Sequence, residues 1–412
     1  MVRLALILVL AFTAVFGVAH AANSPRFRGP DGNGVFAETG LLASWPEGGP
    51  KMLWSAEGLG ESYATVSVAN GRIYTTGMTA ERGSVYAMDL QGKLLWKKEY
   101  GAEFDGRGYP GTRNTPTVDN GSLYLLSSLG KAVAMDAESG AVRWEVDLFD
   151  RYDGKNTYFG LAESPLIVGD RVIYTPGGAD ASIVALDAGN GETVWTSKGL
   201  SDGPGYCTPR LFDNGKHRQL ITLVAKSLVG LDPETGRVLW RQPSEVSYDI
   251  HAVSPEFSGD TIYISHGYNQ GGKAYRLAAD GGSVSEQWTE SKLDVHHGGA
   301  IVHDGHIYGA ASNGTWYAIN AESGEIAAQI KRLGKGSMAL ADGLLYGYTE
   351  KGEVVLVDPD PANFRVVSSF EMTHGSGHHW SHPVVADGVL YIRHGDVLMA
   401  FDVKEPSSEG TT

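Results

Sequence analysis

Residues 85–96, Val-Tyr-Ala-Met-Asp-Leu-Gln-Gly-Lys-Leu-Leu-Trp, contain the unit from which most of this chain is built. An apolar segment leads to Asp89, a turn follows with Gly92, and Trp96 comes four residues later. The same Gly-to-Trp step returns at Gly140–Trp144, Gly191–Trp195 and Gly236–Trp240. Later copies depart from the pattern: the one that ends at Trp288 carries an insertion, and those that contain Asn320, Asp358 and Asp402 lack the Trp. Self-similarity at a fixed spacing predicts a repeat architecture.

A second unit precedes each copy: an apolar strand, an Asn-Gly or Asp-Gly pair, and a further apolar strand that usually contains Tyr. Pro116–Tyr124 and Pro383–Tyr391 are examples. Asn-Gly and Asp-Gly provide the positive φ angles of two-residue hairpins. Each period therefore predicts four short antiparallel strands, here named a, b, c and d from first to last. A period of this length is typical of a β-propeller blade.

The number of a–b hairpins gives the number of blades. Eight are present, at Val66–Tyr74, Pro116–Tyr124, Pro165–Ile173, Pro209–Leu223, Pro255–Tyr263, Ala300–Tyr308, Met338–Tyr346 and Pro383–Tyr391. The last period lacks strand d, and Pro50–Trp54 reads as an unpaired strand d ahead of the first hairpin. Pairing the two removes an exposed sheet edge. The predicted fold is all-β: a closed eight-bladed propeller of four-stranded antiparallel blades.

The ends of the chain divide it into four predicted regions. Arg3, the apolar run 4–19 and Ala19-His20-Ala21 fit a cleavable signal peptide over residues 1–21. Residues 22–49 form an N-terminal extension, 50–404 the propeller and 405–412 a disordered tail. We expect a periplasmic or secreted protein. No transmembrane segment is expected, and no lipid anchor, because no Cys follows the apolar run.

Composition excludes several classes of function. The net charge of −15 weighs against nucleic acid, since phosphate binding needs clustered Lys and Arg. The single cysteine excludes an internal disulfide, a Cys-x-x-Cys-His haem attachment and a thiolate zinc site. We expect a monomer whose partner, if it has one, is another protein of the cell envelope.

The Asp, Gly and Trp that recur in register over about residues 50–404 resemble the repeats of the quinoprotein propellers that bind pyrroloquinoline quinone (PQQ). That superfamily includes PQQ-dependent alcohol dehydrogenases and the non-catalytic outer-membrane assembly protein BamB. The chain is most similar to secreted PQQ-repeat proteins of planctomycete-type bacteria. The likeness lies in Phe27–Gly34, Gly111–Pro116 and His296–Gly299. The Phe27–Gly34 segment either covers one end of the channel or ties down the N-terminus.

The repeated Asp and Trp residues are interpreted as structural. A Trp at the end of strand d packs between blades, where an indole buries about 150–250 Å². An Asp carboxylate satisfies backbone N–H groups of its own turn. Function is therefore expected on the other side of the ring, at the face formed by the d–a and b–c loops.

The resemblance to quinoproteins implies a funnel for PQQ on that face. A PQQ site holds the planar quinone against an indole, with Ca²⁺ bound by a Glu and an Asn. Arg113, Asn114, Glu163 and Trp380 occupy suitable places. Arg113 and Glu163 have a second interpretation, in which they pair with each other or with backbone groups. The Cys-Cys pair of the alcohol dehydrogenases is absent, with Cys207 alone and expected to be a buried thiol.

Histidines suggest another site on the same face. His251, His296 and His379 occupy equivalent loop positions in three blades and are candidate metal ligands. Two alternatives remain: a solvated loop cluster, or a contact that depends on pH through histidine ionisation. Tyr63 and Tyr206 are expected to pack at the rim.

The sequence supports two hypotheses for function. The first is an exported binding or scaffold module of the periplasm or cell envelope, with no certain cofactor. The second is a PQQ- and Ca²⁺-dependent dehydrogenase of an alcohol or a sugar.

Overall fold

The computed structural model describes residues 24–106 and 108–406. Two short strands, β1 (Val35–Phe36) and β2 (Lys51–Ala56), come before the first blade. The predicted signal peptide and residues 407–412 of the predicted tail lie outside the described residues. Within them, no helix has the length and apolar character needed to cross a membrane.

Four-stranded antiparallel sheets follow one another along the chain. Blades 1 to 4 are β3 (Ser67–Ala69), β4 (Arg72–Thr79), β5 (Arg82–Asp89), β6 (Leu94–Ala102); β7 (Thr117–Asp119), β8 (Ser122–Leu126), β9 (Lys131–Asp136), β10 (Val142–Asp147); β11 (Leu166–Val168), β12 (Arg171–Tyr174), β13 (Val184–Asp187), β14 (Thr193–Thr196); and β15 (Arg210–Asp213), β16 (Arg218–Val224), β17 (Ser227–Leu231), β18 (Val238–Pro243).

The second half of the chain repeats this pattern with one blade left open. Blades 5 to 8 are β19 (Glu256–Ser258), β20 (Thr261–His266), β21 (Gly271–Leu277), β22 (Val284–Glu290); β23 (Ala300–His303), β24 (His306–Ala310), β25 (Trp316–Asn320), β26 (Ile326–Ile330); β27 (Gly336–Ala341), β28 (Leu344–Thr349), β29 (Glu353–Asp358), β30 (Arg365–Glu371); and β31 (Val384–Ala386), β32 (Val389–His394), β33 (Val397–Asp402). The described helices are short: α1 (Leu148–Tyr152) and 3-10 turns at Ser247–Asp249 and Pro361–Asn363.

Strand β2 closes the ring, as the sequence predicted. It pairs antiparallel with β33, so Trp54 lies opposite Ala400 and the last blade obtains its outer strand from the N-terminal end of the chain. The eight-bladed, four-stranded propeller is therefore confirmed. The a–b turns use the Asn-Gly and Asp-Gly pairs as expected: Asn120 and Gly121 both have positive φ, at 44° and 72°.

Tryptophans of strand d dock several of the blades onto the next one. Trp144 lies against Gly191, and its indole Nε1 donates a hydrogen bond to the Ala188 carbonyl at 2.9 Å. The carboxylate of Asp187 accepts two backbone N–H groups of the same turn, from Gly189 and Asn190. This geometry is the one predicted for the structural Asp and Trp residues. It holds neighbouring blades together at the edge of the ring.

Glycine is required where an indole covers the turn. Gly140 has φ +71°, and a Cβ there would lie 2.8 Å from the Trp96 ring. Gly121 has φ +72° but nothing within 4 Å of such a Cβ, so it is a matched control for backbone strain. We expect Gly140→Ala to lower the free energy of unfolding by about 1–2 kcal/mol more than Gly121→Ala. Urea unfolding of both variants measures the difference, and equal losses would contradict the docking role.

The first described part of the N-terminal extension, residues 24–36, runs through the centre of the ring. β1 pairs in parallel with β27 at the inner edge of blade 7. Residues 24–36, here named the plug, also bond to the inner strands of blades 1, 2, 5, 6 and 7. These contacts are Ser24 to Val68, Pro25 to Val118, Arg28 to Glu256 and to Ala300, and Gly34 to Leu340. The Phe27–Gly34 segment left open by the sequence therefore lies within the channel.

A buried ion triad anchors the plug. Glu256 Oε1 forms an ion pair with Arg28 Nη1 at 3.0 Å, and Glu256 Oε2 accepts a hydrogen bond from Arg210 Nη1 at 2.9 Å. The Arg28 and Glu256 side chains are each 2% exposed. Desolvation by burial lowers the pKa of Arg28, and the Glu256 charge opposes that effect. The plug is thus held by charges that have little access to solvent.

Candidate functional site

A funnel opens on the face formed by the d–a and b–c loops. Its cavity measures about 440 Å³. Seven of the sixteen described lining residues are Phe, Tyr or Trp, and one of them belongs to the plug: Phe27, Tyr63, Tyr109, Phe159, Tyr206, Tyr268 and Trp380. A cavity of this size with few polar groups is typical of a ligand site.

Trp380 is the central ring of the funnel wall. It stacks on Tyr109 at 5.4 Å with 26° between the planes, and on His378 at 4.3 Å with 10°. Tyr63 and His297 approach its other edges at 5.1 Å each. Because these residues come from loops of several blades, the wall forms only when the ring closes.

Two cationic side chains, Arg113 and Lys335, line the funnel. Arg113 packs over the rings of Phe104 and Tyr63, at 4.7 and 5.5 Å, and donates to the carbonyls of Gly111 and Tyr109. Desolvation by burial lowers the pKa of its guanidinium. No carboxylate of the described residues forms an ion pair with Arg113. Its contacts are therefore to backbone and rings, and it does not pair with Glu163.

Lys335 is the second cationic side chain, and it forms an ion pair with Glu350, which lies outside the cavity lining. Its Nζ lies 3.0 Å from Glu350 Oε1, which is also 2.7 Å from His297 Nε2. Burial alone would raise the pKa of Glu350, but the hydrogen bonds and charges of His297 and Lys335 lower it to about 2. The described residues that line the funnel include no Asp or Glu. The site therefore favours a planar or negatively charged group.

Asn114 and Glu163 do not line the funnel. The Asn114 side chain is buried, and neither its Oδ1 nor its Nδ2 has a hydrogen-bond partner among the described residues. Glu163 Oε1 accepts the Thr175 N–H at 2.6 Å, while Oε2 has no such partner. Burial raises the pKa of Glu163 to about 7. Of the four residues predicted for a PQQ funnel, the structure brings together Arg113 and Trp380.

The three histidines predicted as metal ligands each contact a different set of residues. His251 contacts His266, His296 contacts Tyr268, and His379 contacts Tyr348 and His394. Desolvation by burial lowers the pKa of His251, His296 and His379 to about 4 in each case. Across residues 24–106 and 108–406, no group of three or more His, Cys, Asp or Glu side chains could hold a metal ion.

Sequence reasoning missed several lining residues. Tyr109 lies four residues before Arg113, and Phe159 four residues before Glu163. That shared offset in two successive blades was the available signal. Tyr63 and Tyr206, expected at the rim, line the cavity itself. Cys207 is buried, and burial raises the pKa of its thiol to about 11, so the thiol is neutral at physiological pH.

Comparison with known proteins identifies the family. The family model PQQ_2, described as outer membrane protein assembly factor BamB, matches residues 81–330, which is more than half of the chain. The chain belongs to this family.

Two kinds of protein are found among the relatives of this chain. BamB of Yersinia pestis is 22% identical over 324 residues, covering 72% of the chain and 74% of that protein. Quinoprotein alcohol dehydrogenase PedH of Pseudomonas putida is 27% identical over 194 residues, covering 45% of the chain and 29% of the dehydrogenase. The chain thus spans less than a third of the length of the dehydrogenases it matches.

Solved structures show the same fold. A europium-containing methanol dehydrogenase superposes with a TM-score of 0.67 at 13% identity, covering 92% of this chain and 91% of that one. BamB from Moraxella catarrhalis superposes with a TM-score of 0.62 at 16% identity, covering 88% and 99%. The propeller fold is shared by a dehydrogenase and an assembly factor, so function must be argued from the site.

The funnel fits only part of a PQQ site. Trp380 offers a stacking surface for a planar quinone, and Arg113 offers a charge for its carboxylates. Ca²⁺ prefers several oxygen ligands, mostly carboxylates and carbonyls. The funnel lining provides no carboxylate, and Glu163 and Asn114 are buried outside that lining. The funnel lining therefore does not fit the ligand requirements of Ca²⁺, and no catalytic step is derived through this metal.

Proposed function

We propose that this chain is a non-catalytic binding module of the cell envelope, and that its funnel receives part of another molecule. The observation that carries this proposal is the lining of the funnel: aromatic rings and two cationic side chains, without an acidic group among the described residues. Stacking surfaces and fixed charges bind a ligand. A PQQ-dependent dehydrogenase also needs oxygen ligands for Ca²⁺, and the described lining offers no carboxylate for that role.

The relatives are consistent with a scaffold in the envelope. The family description and the Yersinia pestis relative are both named as outer membrane protein assembly factor BamB. The predicted signal peptide over residues 1–21 would deliver the chain to the same compartment. The partner is expected to be a protein, and the chain a monomer.

A second candidate is a PQQ-dependent dehydrogenase of an alcohol or a sugar. Arg113 and Trp380 favour it, because a planar quinone with carboxylates would stack on the indole beside the guanidinium. The relatives named as quinoprotein dehydrogenases support the same reading. This candidate requires the side chains of Glu163 and Asn114 to turn towards the cavity. A metal site at His251, His296 and His379 is a separate prediction.

Photo-crosslinking in the cells that make the protein tests the proposal. A photoreactive phenylalanine analogue replaces Tyr268, which is 38% exposed at the mouth of the funnel. The control replaces Leu94, which is 50% exposed at the start of β6, beside the c–d turn on the opposite face. We expect a discrete adduct with one envelope protein from the Tyr268 position alone.

Two results would contradict a scaffold. One is the absence of an adduct, or the same adducts from both positions. The other is saturable binding of PQQ by the purified mature chain in the presence of Ca²⁺, lost in Arg113→Ala, together with dye-linked oxidation of an alcohol or sugar. That result would establish the second candidate.

A further inference from the structure

Strand d of blade 7, β30, contains no docking tryptophan. In blade 2 the docking residue Trp144 stands opposite Ala134, two positions before the Asp of the turn. The corresponding residue of blade 7 is Ser368, which stands opposite Leu356. A hydroxymethyl group does not fill the space of an indole, so this part of blade 7 needs cover from elsewhere in the chain.

Trp45 of the N-terminal extension occupies that space. Its backbone N–H donates a hydrogen bond to Ser368 Oγ at 2.8 Å, and the residue is 7% exposed. Its ring lies 5.9 Å from that of Tyr346 in strand b, with 54° between the planes. The docking Trp144 has the same relation to Tyr124 of its own strand b, at 6.1 Å and 44°. An indole from outside the repeat therefore lies where the missing docking indole would lie.

The next blade explains why this position differs from the others. A docking indole normally lies against the c–d turn of the following blade. The described chain has no such turn in blade 8, because β33 ends at Asp402 and its partner β2 begins at Lys51. The two ends of the propeller chain therefore meet at the boundary between blades 7 and 8, here named the seam.

Hydrogen bonding at the seam reflects the absent turn. In blade 2, the Nε1 of Trp144 and the hydroxyl of Tyr124 both donate to the Ala188 carbonyl of the following turn. The Nε1 of Trp45 and the hydroxyl of Tyr346 are buried and have no hydrogen-bond partner among the described residues. The Trp45 ring is therefore held at the seam by packing.

Residues 37–49, here named the clasp, contact both sides of the seam. On blade 7, the carboxylate of Asp342 accepts the Leu41 N–H at 2.8 Å. On blade 8, the Val403 carbonyl accepts the Leu42 N–H at 2.8 Å. Two adjacent residues of the clasp thus bond to two different blades.

Aromatic rings continue this contact into blade 8. Phe370 of β30 lies 5.4 Å from Trp45 and 5.2 Å from Phe401 of β33. The loop between β30 and β31 also crosses the seam, and it carries Trp380 of the funnel wall. The packing of blade 8 on blade 7 therefore affects the position of that wall.

We propose that the clasp locks the ring at the seam between blades 7 and 8, with Trp45 in the role of the docking tryptophan that β30 lacks. The clasp and β2 have different tasks: β2 completes blade 8, and the clasp joins that blade to its neighbour. Release of the clasp would open the ring at the seam. This inference does not depend on what the funnel binds.

Compensating substitutions in the purified mature protein test the inference. Trp45→Ala removes the indole of the clasp, and Ser368→Trp places one at the docking position of β30. Ala328→Trp is the matched control, because Ala328 stands opposite Ala318 at the docking position of blade 6, where a tryptophan is also absent. Urea unfolding gives the equilibrium constant of each variant, and hydrogen exchange with mass spectrometry locates the strands that open.

We expect Trp45→Ala to raise the unfolding equilibrium constant at least about 100-fold, since a buried indole is lost. Adding Ser368→Trp to this variant should lower the constant again by about tenfold or more, because the new indole fills the empty space. Ser368→Trp alone should destabilise the natural chain, in which Trp45 already occupies that space. Ala328→Trp should restore nothing.

Hydrogen exchange gives a second and independent result. Trp45→Ala should raise exchange in β30 to β33, on the two sides of the seam, at least about tenfold more than in blades 3 and 4. Trp144→Ala is the reference, because it removes a docking indole from blade 2 and should raise exchange in blades 2 and 3.

The inference is overturned if Ala328→Trp restores as much stability as Ser368→Trp, or if a folded Ser368→Trp chain restores none. It is also overturned if Trp45→Ala raises exchange evenly around the ring. If the chain with Ser368→Trp does not fold, the exchange pattern of Trp45→Ala decides the question.

Discussion

Replacement of Glu256 by alanine is expected to lower the free energy of unfolding by about 3–5 kcal/mol. The Glu256 side chain is 2% exposed, and it is the only carboxylate within ion-pair distance of Arg28 and Arg210 among the described residues. Its removal leaves two guanidinium groups in the centre of the ring without a counter-charge. The free-energy cost of leaving these charges buried and unpaired is larger than the attraction that the substitution removes. Urea unfolding at constant pH measures the effect.

The chain contains a matched control on its surface. Glu234 also bridges two arginines, Arg171 at 2.6 Å and Arg218 at 2.9 Å, but its side chain is 51% exposed. Solvent screens such a triad, so Glu234→Ala should lower the free energy of unfolding by less than about 1 kcal/mol. If the two variants lose similar stability, the plug is not anchored by its buried charges.

The propeller could be predicted because its signals are local. Each Asn-Gly or Asp-Gly turn specifies one hairpin, and each Asp and Trp specifies one docking contact within a single period. Closure followed from counting strands, since Pro50–Trp54 was the unpaired one. The structure pairs these residues with β33 as expected.

The plug and much of the funnel could not be predicted in this way. Arg28 reaches Ala300, which is 272 residues away, and no periodicity relates the two. Tyr109, Phe159 and Tyr268 lie in irregular loops that are brought together only by the closed ring. The loop register found Arg113 and Trp380, but it could not show that the Glu163 side chain turns towards Thr175 instead of the cavity. Side-chain direction depends on packing that a repeat pattern does not encode.

Glu163 is expected to make the stability of the protein depend on pH. It is buried in the loop that leads into blade 3, beside a cavity about the size of one water molecule that it shares with Thr175 and Cys207. Desolvation by burial raises its pKa to about 7 from the ordinary value of 4.5, although the hydrogen bond from Thr175 opposes the change. The folded state therefore holds this proton more tightly than the unfolded state does.

The sign of the effect follows from linkage. A carboxyl group with a raised pKa contributes stability that is fully present below about pH 4.5 and is lost as the pH rises through about 7. The size of the shift corresponds to about 3 kcal/mol. Buried histidines act in the opposite direction: burial lowers the pKa of His266 and His382 to about 3, so they destabilise the fold as the pH falls below 6.5. The two effects overlap between about pH 4.5 and 6.5.

Glu163→Gln separates the two effects, because the histidines are the same in both proteins. The amide oxygen of glutamine can still accept the Thr175 N–H, but the side chain has no charge to bury. We expect the stability of the natural chain relative to Glu163→Gln to fall by about 3 kcal/mol in total as the pH rises from about 4 to about 8, and to stay constant above about pH 8. Urea unfolding of both proteins at several pH values measures this difference. If the free energies of unfolding of the two proteins change with pH in parallel, the Glu163 carboxyl group is not held neutral in the folded state. Its side chain would then be a candidate to turn towards the funnel.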